Sequence, residues 1–277
     1  MKKLVAGLLT AVALLAMSAC GADQKNTAQT SSSTKESAEV SSGASEQVYT
    51  DPKEMKESYD VVIIGAGGAG MAAAIEAKDA GLNPVILEKM PVAGGNTSKS
   101  SSGMNASETK FQKEEGIKDS NDAFYEETLK GGGGTNDKEM LRYFVDHSAD
   151  AVDWLDQNGI KLDNLTITGG MSEKRTHRPS DGSAIGGYLV EGLLNNVHER
   201  EIPIFVNADV TDIKKNGETV NEVTVHVQGE EPKEVTGKAI VVTTGGFGAS
   251  KEFIEKYRPD LADYITTNQE GSTGDGI

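Results

Sequence analysis

The chain has 277 residues, with 43 acidic side chains against 27 Lys and Arg for a formal net charge of −16. Such a charge repels phosphate backbones and anionic bilayers, which argues against nucleic acid or a charged membrane surface as partner. One cysteine leaves nothing for intrachain disulfides or a thiolate metal site, so a folded domain must rest on its core alone.

At the N-terminus Lys2 and Lys3 precede the apolar run Leu4 to Met17, followed by Ser18, Ala19 and Cys20. This is the pattern of a signal peptide with a lipobox-like end. It predicts acylation of Cys20 and a lipid anchor on the extracytoplasmic face of a cell membrane. The run is too short for an ordinary membrane-spanning helix; the competing reading is a buried apolar helix. Gly21 to Gln47, rich in Ser, Thr, Glu, Lys and Ala, reads as a disordered spacer.

Tyr59 to Glu88 reads YDVVIIGAGGAGMAAAIEAKDAGLNPVILE. Val61 to Ile64 suit a buried parallel strand, and Gly65, Gly67 and Gly70 follow at once as GxGxxG. Gly65 permits the tight turn, Gly67 lets backbone approach a phosphate, and Gly70 lets the helix pack on the strand. The helix Ala69 to Ala80 ends at Gly81, and Pro84 to Leu87 forms a second strand closed by Glu88, an acid placed to bond ribose hydroxyls. Together these predict a dinucleotide whose pyrophosphate rests on the helix N-terminus. The competing reading is an ordinary strand–helix turn with a surface glutamate.

Lys89 to Ala106, KMPVAGGNTSKSSSGMNA, is dense in Gly, Ser, Thr and Asn, and reads equally as backbone folded around a ligand or as a flexible surface loop. Asp137 to Asn158 carries Leu141, Phe144, Val145, Ser148, Val152 and Leu155 at helical spacing, predicting one core-facing helix ended by Gly159. His147 and Trp154 on it are assigned to packing or capping. Arg175, His177 and Arg178 could clamp a dicarboxylate, but organisation of the pocket is the preferred reading. A helix over Tyr188 to Arg200 precedes strands at Ile204 to Asn207, Val210 to Lys214 and Val220 to Gln228, with a turn at Asn216 and Gly217, then the apolar strand Ala239 to Thr243.

Glu88 with KMPVAGGNTSKSSSGMNA resembles the FAD-binding region of the fumarate reductase flavoprotein family, particularly its flavocytochrome c and urocanate reductase branch. The family pattern is close to EKxPxxGGNSxxxxGGMNA, and this chain departs from it at Ser102, which stands where the first of two glycines is usual. GGGGTNDKEMLRYFVDHSADAVDWLDQNGIKL, GGMSEKRTHRP, VVTTGGFG and TTNQEGSTGDG extend the resemblance in order to Gly276.

The resemblance implies an α/β, Rossmann-like FAD-binding fold with a parallel sheet and a small antiparallel β-meander, two sheet layers enclosing the dinucleotide. The expected division is a lipoprotein signal peptide over 1–20, a linker over 21–56 and an FAD-binding domain over 57–277, incomplete at its C-terminus and without the family's capping domain. FAD contacts are implied for Gly65, Ala66, Gly67, Gly70, Glu88, Lys89, Gly95, Asn96, Thr97, Ser102, Gly103, Val210, Thr244, Gly245 and Asp275, Val210 through its backbone. No histidine lies in Asn96 to Gly103, where membrane-bound relatives carry one for covalent attachment, so FAD is expected to bind non-covalently. No metal site is expected.

The implied chemistry is hydride transfer from reduced flavin to the double bond of a small unsaturated carboxylate, fumarate or a related enoate, fed by an external electron donor. Catalytic residues are expected outside these 277, none within them. Urocanate or 3-ketosteroid chemistry, and a flavin-binding module without chemistry of its own, stand as alternatives. An NAD-binding dehydrogenase would keep the first motif but leave the GGNTS loop and the meander without a purpose.

Overall fold

The computed structural model describes residues 48–217 and 219–277. The expected signal peptide, Cys20 and the spacer as far as residue 47 lie outside the described residues. Strand β1 (Ser58–Ile64) runs directly into helix α1 (Gly68–Asp79), which returns the chain to β2 (Pro84–Leu87), parallel to β1 in the register Val61 to Pro84 and Ile64 to Leu87. β1 begins three residues before the Val61 read from the sequence, α1 lies within one residue of its expected bounds, and β2 has the bounds expected.

The strands are continuous apolar runs because both their faces are covered. Val61 and Ile63 point toward α1 and α6 (Ile185–Glu199), joining Met71, Ala74, Ile75, Val190, Leu193 and Val197 in one buried cluster. Val62 and Ile64 point the other way, into a second cluster with Val85, Leu87, Phe205, Val223, Val225 and Val235. Each fully buried aliphatic side chain contributes about 1.5–3 kcal/mol.

A loop after β2 leads to β3 (Met104–Asn105) and to helices α2 (Lys110–Glu114), α3 (Asn121–Gly131), α4 (Lys138–Asp146) and α5 (Ser148–Gln157). The single helix expected over Asp137 to Asn158 is therefore two, broken at His147, whose φ of −103° and ψ of 8° leave the helical range. The buried Ser148 hydroxyl donates to Val145 O at 2.8 Å and satisfies a carbonyl freed at the break. Leu141, Val145, Ser148, Val152 and Leu155 are buried as expected, but Phe144 is half exposed. Strand β5 (Thr176–Arg178) pairs with both β3 and β4 (Asn164–Thr166) in a separate small antiparallel sheet of order β3-β5-β4.

Helix α6 starts three residues before its expected position, with Gly186 N bonded to Ser100 O at 3.0 Å, so its first turn lies against the loop that follows β2. Strands β6 (Ile204–Phe205), β7 (Ala208–Asn216), β8 (Thr219–Val227) and β9 (Lys233–Val242) complete a six-stranded sheet of order β6-β2-β1-β9-β8-β7. The antiparallel meander of β7 to β9 is thus hydrogen-bonded to the parallel strands, not detached from them. Residues Lys233 to Thr236 of β9 pair with β8, and Thr236 to Val242 pair with β1. The shared cluster of Val62 and Ile64 with Val223, Val225 and Val235 shows the meander folded over the second face of the parallel strands. Helix α7 (Lys251–Tyr257) follows, and the chain then runs without strand or α-helix to Ile277.

Thr50 and Met55, expected within the linker over 21–56, are held against the sheet. Thr50 N bonds Ile204 O at 3.0 Å and the Thr50 hydroxyl accepts from Ile204 N at 3.0 Å, capping the β6 edge of the sheet, while Met55 is buried in the second cluster. Two backbone groups that an open edge leaves unpaired are satisfied in this way.

Candidate functional site

A cavity of about 330 Å³ opens where β1 ends and α1 begins, bounded by the glycine turn, the end of β2, the loop at Gly95 to Thr97, strand β7, the end of β9 and the segment Gln269 to Gly276. The turn is built as its glycines require. Gly65 has a φ of +106°, and a Cβ there would stand 2.6 Å from Thr243 O, so both conformation and space demand glycine. At Gly70 a Cβ would collide with Gly65 O, because α1 lies directly on the turn that launches it. Gly67 differs: its nearest neighbour would be the Thr97 hydroxyl at 3.9 Å. The room it leaves faces the cavity, which suits close approach of a ligand and no packing need of the protein.

Gly67 is the N-cap of α1 and carries no side chain to satisfy the helix's first amides. Gly68 N donates to the Thr97 hydroxyl at 3.0 Å, and Gly68 and Ala69 line the cavity. A helix start bare of carboxylate caps and facing a cavity is suited to a phosphate. Thr243 was not singled out in the sequence, where it reads as the last residue of an apolar strand. Its hydroxyl lies 2.8 Å from Ile64 O and 3.0 Å from Gly65 O, tying the turn to β9.

Glu88 is buried at the cavity wall, with Oε2 accepting from Ala66 N at 2.8 Å and Oε1 from Met90 N at 2.8 Å. The carboxylate therefore holds the glycine turn to the end of β2 as well as facing the cavity, and each oxygen keeps a further lone pair for a ribose hydroxyl. Ala66 itself does not line the cavity; it serves through that amide and through its carbonyl, which accepts from Gly94 N at 2.8 Å.

Asn96 joins the two sides of the site. Its Nδ2 donates to Asn268 Oδ1 at 2.6 Å and to the Ser272 hydroxyl at 2.9 Å, and its Oδ1 accepts from Gln269 N at 2.8 Å. Lys89 Nζ donates to the Thr273 hydroxyl at 2.5 Å and pairs with Asp275. Burial pushes the Asp275 carboxyl up, but the Lys89 ammonium and the Thr273 hydroxyl outweigh it and hold the group below the usual carboxylate range. Val210 faces the cavity from β7, an edge strand whose pairing slips between Val210 and Asp212. That bulge frees backbone at the cavity wall for a ligand, a feature with no signal in the sequence.

Of the expected cofactor residues, Gly65, Gly67, Glu88, Lys89, Gly95, Asn96, Thr97, Val210, Thr244, Gly245 and Asp275 line this one cavity. Gly70 and Ala66 support it from behind. Ser102 and Gly103 do not line it: Ser102 is exposed, and Gly103 lies against the His177 carbonyl. Gly103 leads directly into β3, which pairs with β5.

Arg175, His177 and Arg178 are also absent from the cavity wall. Arg175 is buried and forks onto Asp119, with Nε 2.7 Å from Oδ2 and Nη2 2.6 Å from Oδ1, and also pairs with Glu127. His177 places Nδ1 2.7 Å from Arg175 O and Nε2 2.8 Å from the Thr109 hydroxyl. A carbonyl only accepts, so Nδ1 carries a proton, and in the neutral ring Nε2 accepts from the Thr109 hydroxyl. Burial lowers its pKa, opposed in part by the bonds to Arg175 and Met104 and by the charge of Glu115. Arg178 Nε donates to Ser183 O at 3.2 Å. Two of the three are thus spent inside the protein, and β5, which carries His177, anchors β3 behind the loop.

The donor set fits FAD: backbone amides at a helix start for the diphosphate, an acid at the ribose position, and free edge backbone for the adenine. Residues 60–277 match the family model described as FAD binding domain. The chain is 52% identical over 221 residues to NADH:fumarate oxidoreductase of Klebsiella pneumoniae, covering 80% of this chain and 24% of that protein. It is 36% identical over 241 residues to fumarate reductase (cytochrome) of Shewanella frigidimarina, covering 87% and 42%. The open conformation of a flavocytochrome c3 fumarate reductase superposes with a TM-score of 0.77 at 36% identity, covering 81% of this chain and 40% of that one. The chain thus spans between a quarter and about two fifths of the length of these relatives. It belongs to the FAD binding domain family.

Proposed function

We propose that this chain is the cofactor-holding part of an oxidoreductase that reduces the carbon–carbon double bond of fumarate or a related enoate. The observation that carries the reading is the single cavity in which the glycine turn, Glu88, the Asn96 loop, Val210 and Asp275 meet. The similarity to fumarate reductases supports it. FAD held there supplies the hydride that passes to the acceptor carbon.

The chain's own part is binding and orientation. The amides at the start of α1 hold the diphosphate, Glu88 receives the ribose hydroxyls while fixing the turn, and Asn96 holds Gln269 to Ser272 against the GGNTS loop. Polarising the substrate carboxylate and protonating the adjacent carbon require cationic and acidic groups aimed at the developing charge. Among the described residues lining the cavity the only cation is Lys89, and it is paired with Asp275. Urocanate and steroid enones remain the alternative acceptors, and the electron donor is a separate carrier.

Reduction of the bound flavin under anaerobic conditions, in the polypeptide that carries this domain in the cell, tests the reading. Reoxidation on addition of fumarate supports it. Flavin that stays reduced with fumarate, urocanate and a steroid enone alike contradicts it and leaves a flavin-binding module. We further propose anchoring through acyl-Cys20; the Cys20→Ser variant should then leave the membrane fraction.

A further inference from the structure

The cavity's charge balance is unexpected for a site that takes a diphosphate. Its lining carboxylates are Glu88, Asp209, Asp212 and Asp275, against Lys89 alone among the described residues. Glu88 is bonded to the amides of Ala66 and Met90, and of the four carboxylates it is Asp275 that pairs with Lys89. The segment that carries it, residues 268–276, contains no strand or helix. Side chains hold it instead. Asn96 fixes its first half, with one backbone tie from Ala249 N to Ser272 O at 2.9 Å. In its second half Gly274 packs on Phe247 and Phe253, and Lys89 reaches Thr273 and Asp275 across 184 and 186 positions of sequence, while the Thr273 hydroxyl donates to Asp275 Oδ1 at 2.5 Å.

We propose that the Lys89–Asp275 ion pair is a clasp that locks the segment Asn268 to Gly276 at the rim of the dinucleotide cavity, so that FAD enters and leaves when the pair opens. The clasp rests on the FAD assignment above and adds a gating role to it. Both partners are partly exposed, with side chains 24% and 39% accessible, so the pair can exchange with solvent and is weakened by salt. Asn96 is the permanent hinge of the segment, since its bonds are neutral and independent of the pair.

Simple charge arithmetic makes the opposite forecast. Removing a carboxylate beside a diphosphate relieves repulsion and slows release. If Asp275 is a clasp, its removal speeds release.

The test is the rate at which FAD leaves the full chain on dilution, followed by flavin fluorescence. Asp275→Asn and Lys89→Met should each release FAD about fivefold faster than the unaltered protein, as expected for a partly exposed pair. The double variant should be no faster than the faster single one. The exchanged pair, Lys89→Asp with Asp275→Lys, should return toward the original rate. Release from Asp275→Asn at the original rate or slower overturns the clasp, as do single effects that add.

Should the variants fail to fold, ionic strength on the unaltered protein decides. Screening a protein of net charge −16 from a dianion slows release, whereas loosening a clasp speeds it. Slower release in salt therefore overturns the proposal. A protein that never takes up FAD overturns the cofactor assignment itself, an outcome distinct from FAD that binds and leaves at an unaltered rate.

Discussion

Glu88 Oε2 accepts a hydrogen bond from Ala66 N at 2.8 Å, joining the end of the second strand to the turn that follows the first. The same carboxylate receives Met90 N, so one buried side chain fixes both the glycine turn and the start of the next loop. Glu88→Ala leaves two amides without partners, and a destabilisation of about 2–3 kcal/mol is expected in urea titrations without FAD. Glu88→Gln should also destabilise, because its amide end turns a donor toward one of the two donors.

Gly67 and Gly70 separate ligand space from packing space. Gly67→Ala should leave unfolding within about 0.5 kcal/mol of the original, since its Cβ meets nothing closer than 3.9 Å. Its FAD affinity should nevertheless fall about tenfold or more, because the methyl group occupies the phosphate approach. Gly70→Ala should instead lose stability by about 1–3 kcal/mol, through the collision with Gly65 O. Urea titration and FAD titration of both variants measure the contrast.

Arg175 is the buried centre of an ionic network with Asp119 and Glu127. Arg175→Met strands the Asp119 carboxylate, whose side chain is wholly buried, and should destabilise by about 3–5 kcal/mol. Were Arg175 a substrate clamp, the variant would unfold normally and lose only activity; chemical denaturation separates the two.

His177 makes stability depend on pH. Its folded pKa lies below the ordinary 6.5, so between the two values the unfolded chain binds the extra proton. Its contribution is fully present above pH 6.5 and is lost as pH falls through the lowered folded value. Unfolding free energies measured from about pH 7.5 downward should decline below pH 6.5, and this part of the slope should vanish in His177→Gln.

What could be read from the sequence were features that a short segment determines by itself. Gly65 and Gly70 were legible because a tight turn and a close helix contact leave glycine no substitute. The β1–α1–β2 unit followed from an apolar run, a turn and an Ala-rich helix in immediate succession. The break at His147 was not legible, since Leu141, Val145, Ser148, Val152 and Leu155 keep helical spacing straight through it. Strands β3, β4 and β5 are two or three residues long, too short for alternation to register. The bulge in β7 and the pairing of Lys89 with Asp275 depend on topology that brings distant segments together, which local pattern does not encode. Phe144 shows the converse limit: helical spacing put it in the core, and the structure leaves it half exposed.

The FAD assignment puts the diphosphate on the amides at the start of α1 and the rest of the dinucleotide along the wall built by Glu88, Asn96 and Val210. Reconstitution of the full chain with excess FAD, followed by gel filtration with absorbance read at the protein and flavin bands, tests it most directly. One flavin should elute with each chain, removable by acid precipitation because it is not covalently attached, and strongly depleted in Gly67→Ala. A protein that is folded by circular dichroism yet elutes colourless contradicts it.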